Sequence, residues 1–246
     1  MESIESLGKR AGQRRSRWTI VQRITGGSRC DSATGPGLLA WAWVWASAFA
    51  WACVLMIGPG IALASLEGEW TLEKQQDGIS VYTRPVAGSG IKEFKGEAEI
   101  SSPVDAILRV LRDSDGFKDW FPNCPESKLL AREENVSYQY SVMSTPWPLS
   151  DRDNIFRSET RRSPGSGVVV IEVTAAPDYS PERGGRVRVR KARGSWKLEP
   201  VAKDRTRVTF TMHLEPGGGI PEWMINARVV GTPFEALTNL RVSAGS

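Results

Sequence analysis

Residues 220–241 read IPEWMINARVVGTPFEALTNLR. Ile220, Trp223, Met224, Ala227, Val230, Phe234, Leu237 and Leu240 recur at spacings of three and four, the period of an amphipathic helix. The spacing predicts one long helix over Pro221–Arg241. Pro221 suits its first turn, and Pro233 is expected to kink it near the middle. An interior proline lacks the backbone donor, and its ring meets the carbonyl four residues back. A helix with one apolar face must bury it against something. The fold depends on what that partner is.

The preceding residues supply a sheet. Gly78–Arg84 (GISVYTR) alternates as a strand does, and Ile91–Ile100 (IKEFKGEAEI) is a second strand. Pro103–Asp113 reads as a short helix with Val104, Ile107, Leu108 and Leu111 on one face, and Phe117–Phe121 as another turn or two. Strands are then expected at Lys128–Arg132, Ser137–Ser144, Asn154–Thr160, Val168–Ala175, Arg186–Arg193, Ser195–Pro200 and Arg207–Leu214. Gly and Pro clusters separate several of them, as antiparallel connections require. The class is α+β. An antiparallel sheet with one wet and one apolar face can curl around the last helix and leave a space between the two.

The chain of 246 residues has a net charge of +4, and that excess is local. Residues 1–64 hold seven Lys/Arg and three acids, which leaves 25 of the 32 Lys/Arg and 25 of the 28 acids for residues 65–246. A body without net charge has no global field for nucleic acid, so DNA and RNA are not expected as partners. Leu38–Ile57 (LLAWAWVWASAFAWACVLMI) carries no charge, follows the basic residues, and precedes a Gly58-Pro59-Gly60 break and ALAS at 62–65. That order describes a secretory signal peptide cut after Ala64. Twenty apolar residues also suffice for a membrane anchor if the cut is not made. Both readings export the body to the periplasm or beyond. Residues 1–64 are therefore read as an address and 65–246 as one domain of ordinary size.

Composition also limits the chemistry. Cys124 is the one cysteine after residue 64, and His213 is the one histidine of the chain. Neither an intrachain disulfide of the body nor a His-cluster metal site is supported, and a Ser-His-Asp triad has little to build on. No cofactor and no metal are expected, and the body is expected to be a monomer.

One loop stands out. Pro146–Asn154 reads PWPLSDRDN, a stiff apolar bend directly against a charged triplet. Pro146 and Pro148 cannot donate to a ladder, so Trp147 sits on a loop. With this stretch, several motifs resemble START domains, the steroidogenic-acute-regulatory-related lipid-transfer group. They are Trp70-Thr-Leu, Asp77-Gly-Ile-x-Val-Tyr-x-Arg84, Lys92-Glu-Phe-Lys-Gly96, Trp120 with Cys124-Pro-Glu-Ser127, Pro146-Trp-Pro-x-Ser-Asp-Arg-Asp153, and Pro216-Gly-Gly-x-Ile-Pro-x-Trp223-x-x-Asn226. The likeness runs from about Trp70 to Arg241.

The resemblance implies a helix-grip fold of the START/Bet v 1 type, a curved antiparallel sheet wrapped around a long C-terminal helix. It also implies one apolar ligand, a lipid or sterol-like molecule, in a tunnel between sheet and helix, and binding and transfer rather than a reaction. Transient contact with a membrane surface fits such a carrier. The residues it points to as ligand-binding are Gln139, Met143, Trp147, Phe156, Ser158, Trp223, Ala227, Val230 and Phe234. Trp147 would be a lid near Trp223, Ala227 and Val230. Pro146, Pro148, Asp151, Arg152, Asp153 and Pro233 would frame the gate, with Arg152 and Asp153 pinning the strand base. Some relatives carry an acid–arginine pair inside the tunnel; the matching positions here are Gln139 and Ser158, although Arg157 could be the inner group in a neighbouring register. A cyclase-, aromatase- or hydrolase-like enzyme on the same fold is the alternative, and it needs Tyr140 or His213 to meet Asp153 in the cavity. A membrane-tethered interaction module is a third reading. The run Arg186–Arg193 reads as a solvated strand face, or as a dock for anionic headgroups.

Overall fold

The computed structural model describes residues 68–245. The leader, its cleavage site and the apolar run 38–57 lie outside the described residues, so the two-part division of the chain stays an expectation. Among the described residues no helix is long and apolar enough to cross a membrane.

Ten strands form one sheet: β1 (Thr71–Gln76), β2 (Ile79–Val86), β3 (Ser89–Ile100), β4 (Glu126–Glu133), β5 (Val136–Met143), β6 (Arg152–Arg162), β7 (Val169–Ala175), β8 (Val187–Arg188), β9 (Lys191–Ala202) and β10 (Arg205–Glu215). Their order is β1-β2-β3-β10-β9-β7-β6-β5-β4, with the two-residue β8 added parallel to β6. All the other neighbours are antiparallel. Register shifts in the β1–β2, β2–β3 and β4–β5 pairs mark bulges, which bend and twist a sheet. The curved sheet and its C-terminal helix are the helix-grip arrangement expected above.

Two short helices, α1 (Val104–Arg112) and α2 (Phe117–Trp120), fill the connection between β3 and β4. α1 buries Val104 and Ile107, with Leu108 and Leu111 partly buried on the same side. The main core lies between the inner face of the sheet and the last helix. It joins Ile79, Val81, Phe94 and Ile100 to Ala236, Leu237 and Leu240. Trp196 stacks on Phe210 with ring centroids 3.8 Å apart, and Trp120 meets Trp196 edge-on.

The C-terminal helix differs from the expected single kinked rod. It is two helices, α3 (Glu222–Asn226) and α4 (Gly231–Ala244), separated by a turn at 227–230. Pro233 falls in the first turn of α4 rather than at a kink. Its missing N–H and its ring exclude a helical bond to the carbonyl of residue 229, so the irregular turn lies just N-terminal to it. Pro233 itself is buried against β3. A Cβ added to Gly96 would come within 3.2 Å of the Pro233 Cβ and 2.8 Å of a Leu237 methyl, so helix and sheet approach this closely only over glycine. Asn226 fastens α3 to the start of β3: it accepts from the Lys92 amide at 3.0 Å and donates to the Gly90 carbonyl at 2.9 Å. At the far end Asn239 donates to the Trp120 carbonyl and Arg241 to that of Asp77.

A second difference concerns Arg186–Arg193. Only Val187 and Arg188 pair as a strand, and β9 begins at Lys191 and runs unbroken to Ala202. Arg188 is buried, at 5% exposure, while Arg190, Lys191 and Arg193 stay exposed, so one member of the run leaves the solvated face; Val189 is buried as alternation expects. β1, which carries the Trp70-Thr-Leu motif at its start, was not resolved as a separate strand by its pattern. All but one of its residues are exposed, and an edge strand of that kind shows no alternation.

Candidate functional site

A pocket of about 270 Å³ lies between the inner face of the sheet and the α3–α4 segment. Strand alternation decides which side chains reach it. From β5 come Gln139 and Met143; from β6 come Asn154, Phe156 and Ser158. β7, β9 and β10 add Ile171, Val173, Trp196 and Phe210, and Phe117 and Phe121 close the side next to α2. Phe117 stacks on Phe121 with centroids 4.4 Å apart. The walls are therefore largely aromatic and aliphatic, with a few neutral polar groups and two cationic residues, Lys92 and Arg228.

The helical side of the pocket is Ile225, Arg228, Val229 and Thr232, again at three- and four-residue spacing. The expected stripe of Trp223, Ala227, Val230 and Phe234 does not line it. Trp223 is 70% exposed, Ala227 is exposed, Val230 packs on the main core, and the Phe234 ring carries the Lys74 ammonium 3.5 Å above it. The lining face includes an arginine and a threonine, which hide it from an apolar periodicity.

The loop Ser144–Asp151 also differs from the expected lid. Trp147 is 93% exposed and covers nothing; Pro146 and Pro148 beside it are exposed too. The ends of the loop are fixed. Leu149 donates its amide to the Pro146 carbonyl, and Thr145 donates its amide to Asp151 Oδ1 at 2.9 Å. Arg152 is buried and donates to the carbonyls of Ser150 and Gly217, which joins this loop to the glycine turn before α3. Burial pushes its pKa below the ordinary arginine value, with the Asp151 carboxylate acting in the opposite direction.

Asp153 points to the opposite face of β6. There it meets Arg188, whose Nε and Nη2 donate to Oδ1 at 3.1 Å and Oδ2 at 2.8 Å. Both side chains are 1% exposed. The same guanidinium donates to the carbonyls of Pro177, Ser180 and Pro181, and hydrogen bonding to Asp153 raises its pKa. This is a structural clasp on the outer face. Tyr140 and Ile155 form a small apolar cluster on that face. His213 lies away from the pocket, with Nε2 3.8 Å from Glu215. Tyr140, His213 and Asp153, the residues an enzyme reading would unite, do not line the pocket.

Of the inner positions, Gln139 and Ser158 line the pocket and Arg157 does not; it bonds Glu159 at 3.0 Å. Sequence reasoning passed over Asn154 and Arg188. Asn154 was recoverable, because alternation from Phe156 and Ser158 places it inward. Arg188 was not, because nothing local shows that a basic run will bury one member on a distant aspartate. Cys124 is buried, and desolvation pushes its thiol up to about 11.

Comparison with known proteins identifies the class. The START domain family model matches residues 62–242, and the chain belongs to that family. It is 37% identical over 185 residues to an uncharacterized protein of Pseudomonas aeruginosa, covering 75% of this chain and 91% of that one. It is 30% identical over 182 residues to human phosphatidylcholine transfer protein, covering 71% of this chain and 81% of the relative. Among solved structures, a STAR-related lipid transfer protein fragment from Xanthomonas axonopodis superposes with a TM-score of 0.68 at 41% identity, over 72% of this chain and 99% of that one.

Proposed function

We propose that this protein binds a single apolar molecule in the pocket between sheet and C-terminal helix and carries it between membranes without chemical change. The observation that carries the reading is the apolar pocket itself, held in a chain whose relatives include lipid-transfer proteins. Affinity would come from removing ligand surface from water, about 25 cal/mol per Å². Exchange requires the α3 segment or the Ser144–Asp151 loop to move, and α3 is held to β3 by the two Asn226 hydrogen bonds. Exposed Trp147 and Trp223 suit brief contact with a bilayer, where amphipathic rings settle at the headgroup level. The export reading rests on residues 1–64 and is tested by the N-terminal sequence of the mature protein. A cyclase- or hydrolase-like reading would need Tyr140 or His213 beside Asp153 in the pocket, where none of the three lies. The carrier reading is tested by transfer of fluorescent lipid between donor and acceptor vesicles. Acceleration by catalytic amounts of protein supports it, and an unchanged spontaneous rate contradicts it.

A further inference from the structure

The charge in the pocket wall is one-sided. Lys92 and Arg228 line it, and no aspartate or glutamate does. Lys92 is offset from outside the lining: its Nζ lies 3.1 Å from Glu73 and also donates to the Thr83 hydroxyl. Arg228 is exposed, and among the described residues its guanidinium has no hydrogen-bond or ion-pair partner. It stands in the turn between α3 and α4, in line with Ile225, Val229 and Thr232 on the pocket side. The two cations share one end of the pocket. The Lys92 amide bonds Asn226, two positions before Arg228. Further along β3, Phe94 pairs with Met212 and Gly96 with Phe210, and Phe210 stacks on Trp196. The aromatic depth of the pocket therefore lies away from the cationic end.

We infer that the pocket takes single-chain amphiphiles tail first, with an anionic end group held at the rim by Arg228. This inference rests on the carrier reading above and names its substrate class. A carboxylate and a phosphate monoester share the needed chemistry, since each can accept two parallel N–H bonds from one guanidinium. The reverse orientation would carry the charge among Phe117, Phe121, Trp196 and Phe210, where nothing could pair it. A buried charge without a counterion is costly. At the rim the anion keeps part of its water, and exposed Arg228 need not be stripped of its own to meet it. A cationic end group would face Arg228 with no carboxylate in the lining to offset the repulsion. The volume of about 270 Å³ lies just below the roughly 300–1,000 Å³ usual for small-molecule sites, which favours one chain over two.

The test displaces 1-aminoanthracene from the full-chain protein at pH 8 with dodecanoate, dodecyl phosphate and dodecylammonium, in wild type, Arg228→Gln and Arg228→Glu. The three ligands share one tail and differ in the charged end. At low salt an anion should bind wild type roughly threefold to tenfold more tightly than dodecylammonium, because Arg228 attracts one and repels the other. Added salt should narrow the difference. Arg228→Gln should bring anions and cation together, and Arg228→Glu should reverse their order. The tighter of the two anions tells carboxylate from phosphate as the end group. Wild type binding dodecylammonium as tightly as both anions overturns the proposal. A preference for anions that survives Arg228→Glu overturns it as well, because another group then reads the charge. Arg228 has no partner to lose, so both variants should keep the wild-type unfolding midpoint; the wild-type series stands alone if they do not fold. If wild type binds none of the three ligands, the carrier reading itself fails, a result distinct from binding without preference.

Discussion

Replacing Arg188 by methionine should unfold this protein far more readily than its place in a basic surface-like run suggests. Five hydrogen bonds leave the guanidinium: two to Asp153 and one each to the carbonyls of Pro177, Ser180 and Pro181. They fill all five of its donors. Methionine keeps much of the apolar stem but leaves the Asp153 carboxylate, 1% exposed, without a counter-charge, and strips three carbonyls of their donor. Removing one partner of such a buried pair costs about 3–5 kcal/mol. Whole domains are stable by only about 5–15 kcal/mol. In a body of this size each kcal/mol moves the midpoint by roughly 2–4 °C, so the midpoint should fall by about 6–20 °C. Removing both charges, as Asp153→Asn with Arg188→Met, should cost clearly less than the sum of the single changes, since the stranded charge is gone. Thermal unfolding of the four proteins closes the cycle. Below its midpoint Arg188→Met should still bind ligand, because the clasp lies on the face of β6 opposite the pocket. A loss under about 1 kcal/mol, or additive single changes, would refute the reasoning.

Other outcomes follow from the same geometry. Ser158→Trp should fill the pocket from β6 and cut apolar ligand binding at least tenfold; its midpoint should hardly move, since the ring enters open volume and not packed core, and unchanged binding of 1-aminoanthracene would count against the site. Asn226→Ala removes the two hydrogen bonds between α3 and β3, at a cost of about 1–3 kcal/mol, and should raise ligand exchange rates several-fold in stopped-flow displacement. Trp147→Ala should change stability by less than about 0.5 kcal/mol, as the ring is 93% exposed, yet slow transfer between vesicles. Cys124 should resist iodoacetamide at pH 8 in the native protein and react after denaturation, as peptide mapping would show. With its folded pKa raised to about 11, the contribution of the neutral thiol to stability is full below the unfolded value of about 8.5 and is lost as pH rises toward 11.

The strands β2 to β7 and β10 were legible because alternation and Gly/Pro breaks are local signals, whereas the division between β8 and β9 was misplaced. Their order permitted an antiparallel curl around a final helix, and the resemblance to START domains implied it. The break at 227–230 was harder to place. Pro233 announced a disturbance, but the steric conflict acts on the carbonyl four residues earlier, so the irregularity falls before the proline. That shift moved the pocket-facing stripe to Ile225, Arg228, Val229 and Thr232, where polar residues obscure the pattern. Trp147 illustrates a different limit. A large ring on a loop suggests cover, yet only its surroundings decide, and here it stands in solvent. The Asp153–Arg188 clasp spans 35 positions in the chain, and no local rule reaches that far.

The most direct test of the carrier account is native mass spectrometry of the purified protein, with organic extraction of whatever leaves with it. The account predicts one apolar molecule per chain. A protein that purifies empty and takes up no lipid from vesicles would contradict it.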